Sequence, residues 1–221
     1  MIDSLQRSFK KKDNTLMDEL ENYVKKALGS DHSGHGYAHA LRVRSLARKI
    51  QSSEGGDLHI IEGAALVHDT IDSKLFAHPE KEISKLEKEL AQLHYRPEEV
   101  DAILTIITHM SWHLHDESEK SLEAKIVGDA DRLEALGAIG LIRTIEYGAS
   151  RGREFYKEAN LKKVNGHYGF ATSSETTLSH FYDKLLKLEG TFQTPTGEKM
   201  AKERSDFLRS FLKEFYFELD E

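Results

Sequence analysis

Two adjacent side chains, His68 and Asp69, stand at the end of the apolar run Gly63-Ala64-Ala65-Leu66-Val67. Asp72 and Lys74 follow within one or two turns. Charged groups in an otherwise buried segment are paired or bind metal. A second imidazole, His39, lies in the first turn of a helix predicted earlier in the chain, with Arg42 three residues on and on the same face. Asp129 and Asp131 interrupt a third apolar helix. Two imidazoles and two carboxylates suit a divalent ion of intermediate hardness, such as Mn, Fe, Co, Ni or Zn. Such an ion lowers the pKa of water and polarises a phosphoryl oxygen. Each piece alone also fits an ordinary helix cap, ion pair or solvated face. Their meeting in one small chain carries the reading.

The elements that must position these groups are helical. The chain has 221 residues, 31% of them charged and only three of them proline. Abundant Leu, Glu, Lys and Ala favour helix. Apolar spacing predicts a first helix over 14–28 and a second carrying Leu41, Val43, Leu46, Ala47 and Ile50 inward, closed by Gly55-Gly56. A third helix runs from about Leu58 to His68. Pro79 and Pro97 open the fourth and fifth as first-turn prolines, with His109 near the end of the fifth. A sixth runs from Leu122 past Ala135, or with breaks to Ile145. A seventh spans Leu178 to Leu188 and carries His180 and Lys184; the last covers Glu198 to about Glu218. No segment reads as a strand, and 165–177 reads as a mobile loop. The fold class expected is all-α: a single domain over 1–221, with a core over about 20–150 and a helical extension or lid over 151–221.

Composition narrows the function classes. There are no cysteines, so thiolate metal sites and cysteine nucleophiles are excluded. A net charge of −7 argues against a broad nucleic-acid surface but permits a small anionic ligand in a local basic pocket. No run approaches the roughly 20 apolar residues of a membrane span. Residues 1–12 lack a signal-peptide core, so a cytoplasmic location is the default expectation. A homodimer is a candidate assembly.

The order His39, then His68-Asp69, then a distant Asp resembles the HD-domain metal-dependent phosphohydrolase superfamily. The motifs are His39 before Arg42-Val43, Ala65-Leu66-Val67-His68-Asp69, and Ala130-Asp131-Arg132-Leu133. Within it, Gly34-His35-Gly36-Tyr37-Ala38-His39, His68 through Lys74, Asp129 through Gly140, and Ser179 through Leu186 resemble the bacterial YpgQ/YedJ-like branch. Periodicity leaves Asp129 and Asp131 open, since two residues apart puts them about 200° apart on a helix. The resemblance implies Asp131 as the ligand, beside His39, His68 and Asp69. It implies a divalent metal, manganese first, with Mg, Co, Ni, Fe and Zn behind. It also implies hydrolysis of nucleoside or deoxynucleoside triphosphates to monophosphate and pyrophosphate through a metal-activated water.

In that scheme Asp72 handles a proton, although related enzymes often place Glu there, and Lys74 neutralises phosphate charge. Arg42, His109, Arg132, Arg143, His180 and Lys184 are candidate substrate contacts. His35 is a candidate support for the ligands; His32, His113 and His115 read as solvated. A 5′-nucleotidase, a cyclic-nucleotide phosphodiesterase and a non-enzymatic nucleotide sensor fit the same residues. A dinuclear iron oxygenase needs more ligands than the sequence places. His39 and His68 must be neutral to bind metal, so activity is expected to fall in acid.

Overall fold

The computed structural model describes residues 2–29, 36–72, 78–110, 120–157, 161–164, 167–170 and 176–219. The readings of His32, His35, Lys74, His113 and His115 fall outside the described residues. The chain divides into two compact units, Met1–Gly128 and Asp129–Glu221.

In the first unit, α1 (Ile2–Leu28) begins well before the predicted residue 14. It buries Met17, Leu20, Val24 and Leu28, a stripe at helical spacing. Helix α2 (Tyr37–Glu54) buries His39, Ala40, Val43, Ala47 and Ile50. Asp57 caps α3 (Leu58–Val67), its carboxylate accepting from the His59 and Ile60 amides. Helix α3 is buried from Ile61 to Val67 because α1, α2 and α5 all pack against it. A helix covered on every side has no polar face to show, which explains the unbroken apolar run. After Val67 the backbone tightens into a 3-10 turn, His68–Ile71, where the sequence predicts only a helix end. Helices α4 (Pro79–Gln92) and α5 (Pro97–His109) start at their prolines, as expected, and both pack on that turn.

Helix α6 (Leu122–Leu133) starts in the first unit and ends in the second. It stops two residues short of Ala135, the nearer of the predicted ends. The Glu134, Ala135 and Leu136 amides reach back three residues, to the Asp131, Arg132 and Leu133 carbonyls. Gly137 then takes φ +71° and α7 (Gly137–Ser150) begins.

The second unit also holds a short antiparallel hairpin, β1 (Leu161–Val164) with β2 (His167–Phe170), in a stretch that reads as strandless. Leu161 pairs with Phe170 and Val164 with His167. The predicted seventh helix splits into α8 (Thr177–Asp183) and a 3-10 segment, Leu185–Thr191. Helix α9 (Pro195–Glu218) starts three residues earlier than expected, with Thr194 as its cap. Its phenylalanines stack within the unit: Phe211 on Phe181, and Phe215 edge-on to Phe155. Tyr216 meets the Tyr182 hydroxyl at 2.9 Å. The fold is all-α, with the hairpin as its one sheet element among the described residues. No helix among those residues is long and apolar enough to cross a membrane.

Candidate metal centre

Helix α2 delivers His39, and the 3-10 turn after α3 delivers His68 and Asp69. All three side chains are buried. His39 Nε2 lies 3.2 Å from His68 Nε2 and 3.5 Å from Asp69 Oδ2, and His68 Nε2 lies 3.4 Å from the same oxygen. The His68 Nδ1 sits 2.8 Å from the Ala65 carbonyl. A carbonyl only accepts, so Nδ1 carries the proton and the neutral ring presents a lone pair at Nε2. This is the usual way a protein fixes the tautomer of a metal-binding histidine.

The geometry fits an ion. Two bonds of about 2.1 Å meeting at roughly 100–115° separate their donor atoms by about 3.2–3.5 Å, using the bond lengths of a His/carboxylate site. The three atoms here are spaced that way. Two imidazole nitrogens and a carboxylate oxygen converging in a buried place are a donor set that a divalent ion can take. One short 3-10 turn carries both His68 and Asp69, whose Nε2 and Oδ2 atoms lie 3.4 Å apart.

Around this cluster α2 is tied to α1 and α3. Arg44 donates to Glu21 through Nη1 and to Glu62 at 2.8 Å through Nε. The Tyr37 hydroxyl donates to the other Glu21 oxygen at 2.9 Å. Burial pulls the Arg44 guanidinium down, but Glu62 and then Glu21 leave it above its ordinary value. Asp72 is half-buried at the end of the 3-10 turn, its amide donating to the Asp69 carbonyl at 3.3 Å. Arg42 is half-buried on α2. His109 is exposed at the end of α5, with its Nδ1–H on the Thr105 carbonyl at 2.8 Å.

The remaining candidates belong to the second unit. Asp131 is half-buried in the last turn of α6. Asp129 is fully buried, and its oxygens accept from Arg132, the Gln193 amide, and both the amide and hydroxyl of Thr194. Arg132 is therefore held by Asp129 at 2.9 Å, as the three-residue spacing predicts. Arg143 donates to the Glu134 carbonyl at 3.4 Å. His180 is half-buried and Lys184 is exposed. Burial, then the charges of Lys184 and Arg153, push the His180 pKa down. Arg153 and Thr194 were not legible as site residues. With the last helix expected from Glu198, Thr194 fell outside it, whereas it caps α9 and its hydroxyl reaches Asp129.

The HD domain family model matches residues 36–136, a span that includes His39, His68, Asp69 and Asp131. The chain is 34% identical to Bacillus subtilis YpgQ over 200 residues, covering 89% of this chain and 90% of that protein. It resembles the crystal structure of Bacillus subtilis YpgQ in complex with ADP, at a TM-score of 0.76 and 31% identity over 92% of this chain and 95% of that one. It also resembles the crystal structure of an HD-superfamily hydrolase from Bacillus thuringiensis, at a TM-score of 0.77 and 34% identity over 94% and 98%.

Proposed function

Because this chain belongs to the HD superfamily of hydrolases, in its YpgQ-like branch, we propose that it is a metal-dependent phosphohydrolase that cuts nucleoside or deoxynucleoside triphosphates to monophosphate and pyrophosphate. One observation carries the chemistry: His39 Nε2, His68 Nε2 and Asp69 Oδ2 converge, buried, at 3.2–3.5 Å from one another. The ADP complex of the YpgQ relative supports a nucleotide as substrate. A divalent ion, manganese first among the candidates, supplies Lewis acidity and an acidified water when bound.

The chain's own residues do the rest. His39, His68 and Asp69 hold the ion, and the Ala65 carbonyl keeps His68 in the binding tautomer. Asp131 is the fourth ligand. Support comes from the resemblance of Ala130-Asp131-Arg132-Leu133 to the superfamily's motif and from the family model, whose match includes Asp131. Asp72, three residues after Asp69, takes and returns a proton. Arg42 balances charge on the phosphates, with His109, Arg143, His180 and Lys184 as further contacts. Arg132, already bonded to Asp129, orients more than it binds. Lys74 completes the charge balance. Catalysis of phosphoryl transfer in such a site is mostly positioning and electrostatics.

Metal-stripped protein, given Mn²⁺ and a panel of nucleoside mono- and triphosphates, tests the proposal. Pyrophosphate release from triphosphates, lost in the His68→Ala, Asp69→Ala variant, is the expected result. Orthophosphate released from monophosphates would instead make it a 5′-nucleotidase. No turnover with any divalent ion, alongside tight nucleotide binding, would make it a sensor.

A further inference from the structure

The turn that carries Asp131 is the end of a helix. The last carbonyls of a helix have no partner further along it, and such ends fray. Here α6 closes with three amide bonds that each reach back only three residues. Two clasps flank Asp131. On one side Asp129 is 0% exposed. Its Oδ1 accepts from Arg132 Nη1 at 2.9 Å and the Gln193 amide at 3.0 Å; its Oδ2 accepts from the Thr194 amide and hydroxyl, both at 2.8 Å. A carboxylate offers about four acceptor sites, and these four donors fill them.

The Thr194 hydroxyl has its direction fixed. It donates to Asp129 and accepts from the Gly197 amide at 3.0 Å, which caps α9. The fit admits no side chain at Gly197, where a Cβ would stand 2.5 Å from Asp129 Oδ2 and 2.8 Å from Thr194 Oγ1. On the other side, Arg204 of α9 donates through Nη1 to the Leu133 carbonyl. Asp131 thus lies between two residues, Asp129 and Leu133, each bonded to α9 or to the segment that starts it.

We propose that Asp129 and Thr194 are positioning residues for the metal, clasping the last turn of α6 to the start of α9 so that Asp131 is presented in one orientation. This rests on the reading of Asp131 as a metal ligand. Groups that orient a ligand in this way change metal affinity by about 10–100-fold when replaced.

The test uses the full-length, metal-stripped protein and follows free Mn²⁺ by electron paramagnetic resonance during titration. Thr194→Val keeps the shape and removes the hydroxyl; Thr194→Ser restores it; Asp129→Asn keeps the size and removes the charge; Asp131→Ala removes the ligand. The expected result is a loss of about tenfold in Mn²⁺ affinity in Thr194→Val, recovery in Thr194→Ser, and a loss in Asp129→Asn. A clasp with a purely structural role would lower the melting temperature of the metal-free protein and leave the Mn²⁺ affinity alone. That outcome, with Asp131→Ala losing affinity, overturns the positioning role and leaves the ligand in place. Wild-type affinity in Asp131→Ala would remove the ligand assignment and the clasp with it. If Thr194→Val does not fold, Asp129→Asn makes the same comparison.

Discussion

Arg44 is where the frame of the metal cluster can be tested by a single substitution. It lies five residues after His39, and Glu62 lies six before His68, so their bond couples the two helices that supply the imidazoles. Arg44→Met keeps most of the aliphatic stem and removes both charged bonds. Glu62 is only 10% exposed in its side chain and would retain Arg48 alone, at 3.3 Å and with Arg48 itself 55% exposed. A hydrogen bond to a charged group is worth about 1.5–3 kcal/mol when its partner is left buried. Glu21, at 26% side-chain exposure, recovers solvent and adds at most about 1 kcal/mol. The expected destabilisation is therefore about 1.5–4 kcal/mol. For a chain of this size that lowers Tm by roughly 3–16 °C. Circular dichroism melts of metal-free wild type, Arg44→Met and Arg48→Met would measure it. Arg48→Met should cost less than about 1 kcal/mol, as exposed pairs do. Equal losses in the two variants, or a loss below about 1 kcal/mol in Arg44→Met, would refute the reasoning.

Three further outcomes are expected. Mn²⁺ at one hundred times its Kd should stabilise the fold by about 2.7 kcal/mol, raising Tm by roughly 5–11 °C; Asp69→Asn should lose most of the rise, and an equal rise in that variant would count against the cluster as the site. Gly148→Ala should destabilise the second unit by about 1–3 kcal/mol, since the new methyl would fall inside the Thr177 hydroxyl and overpacking exceeds the helix-propensity gain of about 1 kcal/mol; unchanged or higher stability in urea would contradict it. His180 should titrate below an ordinary histidine by NMR, because burial and the charges of Lys184 and Arg153 favour its neutral form. The sign follows: the unfolded state binds the proton more readily, so this contribution is fully present above the unfolded value of about 6.5 and fades as pH falls below it. A His180 value at or above 6.5 would exclude that contribution.

Much of the fold was legible because it is written in local signals. Pro79 and Pro97 start helices, the Gly55-Gly56 pair ends one, and the apolar run before His68 is the helix that three others cover. The pairing of His39 with His68 and Asp69 was readable from residue types in their order. What was not legible depends on partners far along the chain or on small changes of backbone. The 3-10 turn at His68–Ile71 differs from a helix end by one hydrogen-bond step, which no periodicity reveals. The hairpin at 161–170 has four-residue strands, the shortest length at which alternation can be read at all. Helix α6 stops at Leu133 where the apolar pattern runs on, because Gly137 at positive φ restarts the chain as α7. Periodicity could not show how Asp129 is held, because its partners, Gln193 and Thr194, lie 64 and 65 residues away.

The proposed reaction places attack by water at the α-phosphorus, and isotopic labelling reads that directly. Manganese-loaded protein would hydrolyse a deoxynucleoside triphosphate in ¹⁸O-water, with products resolved by mass spectrometry and the His68→Ala, Asp69→Ala variant run beside it. The account predicts one ¹⁸O in the nucleoside monophosphate, none in pyrophosphate, and no turnover in the variant. Label in pyrophosphate or orthophosphate, or undiminished turnover without His68 and Asp69, would contradict it.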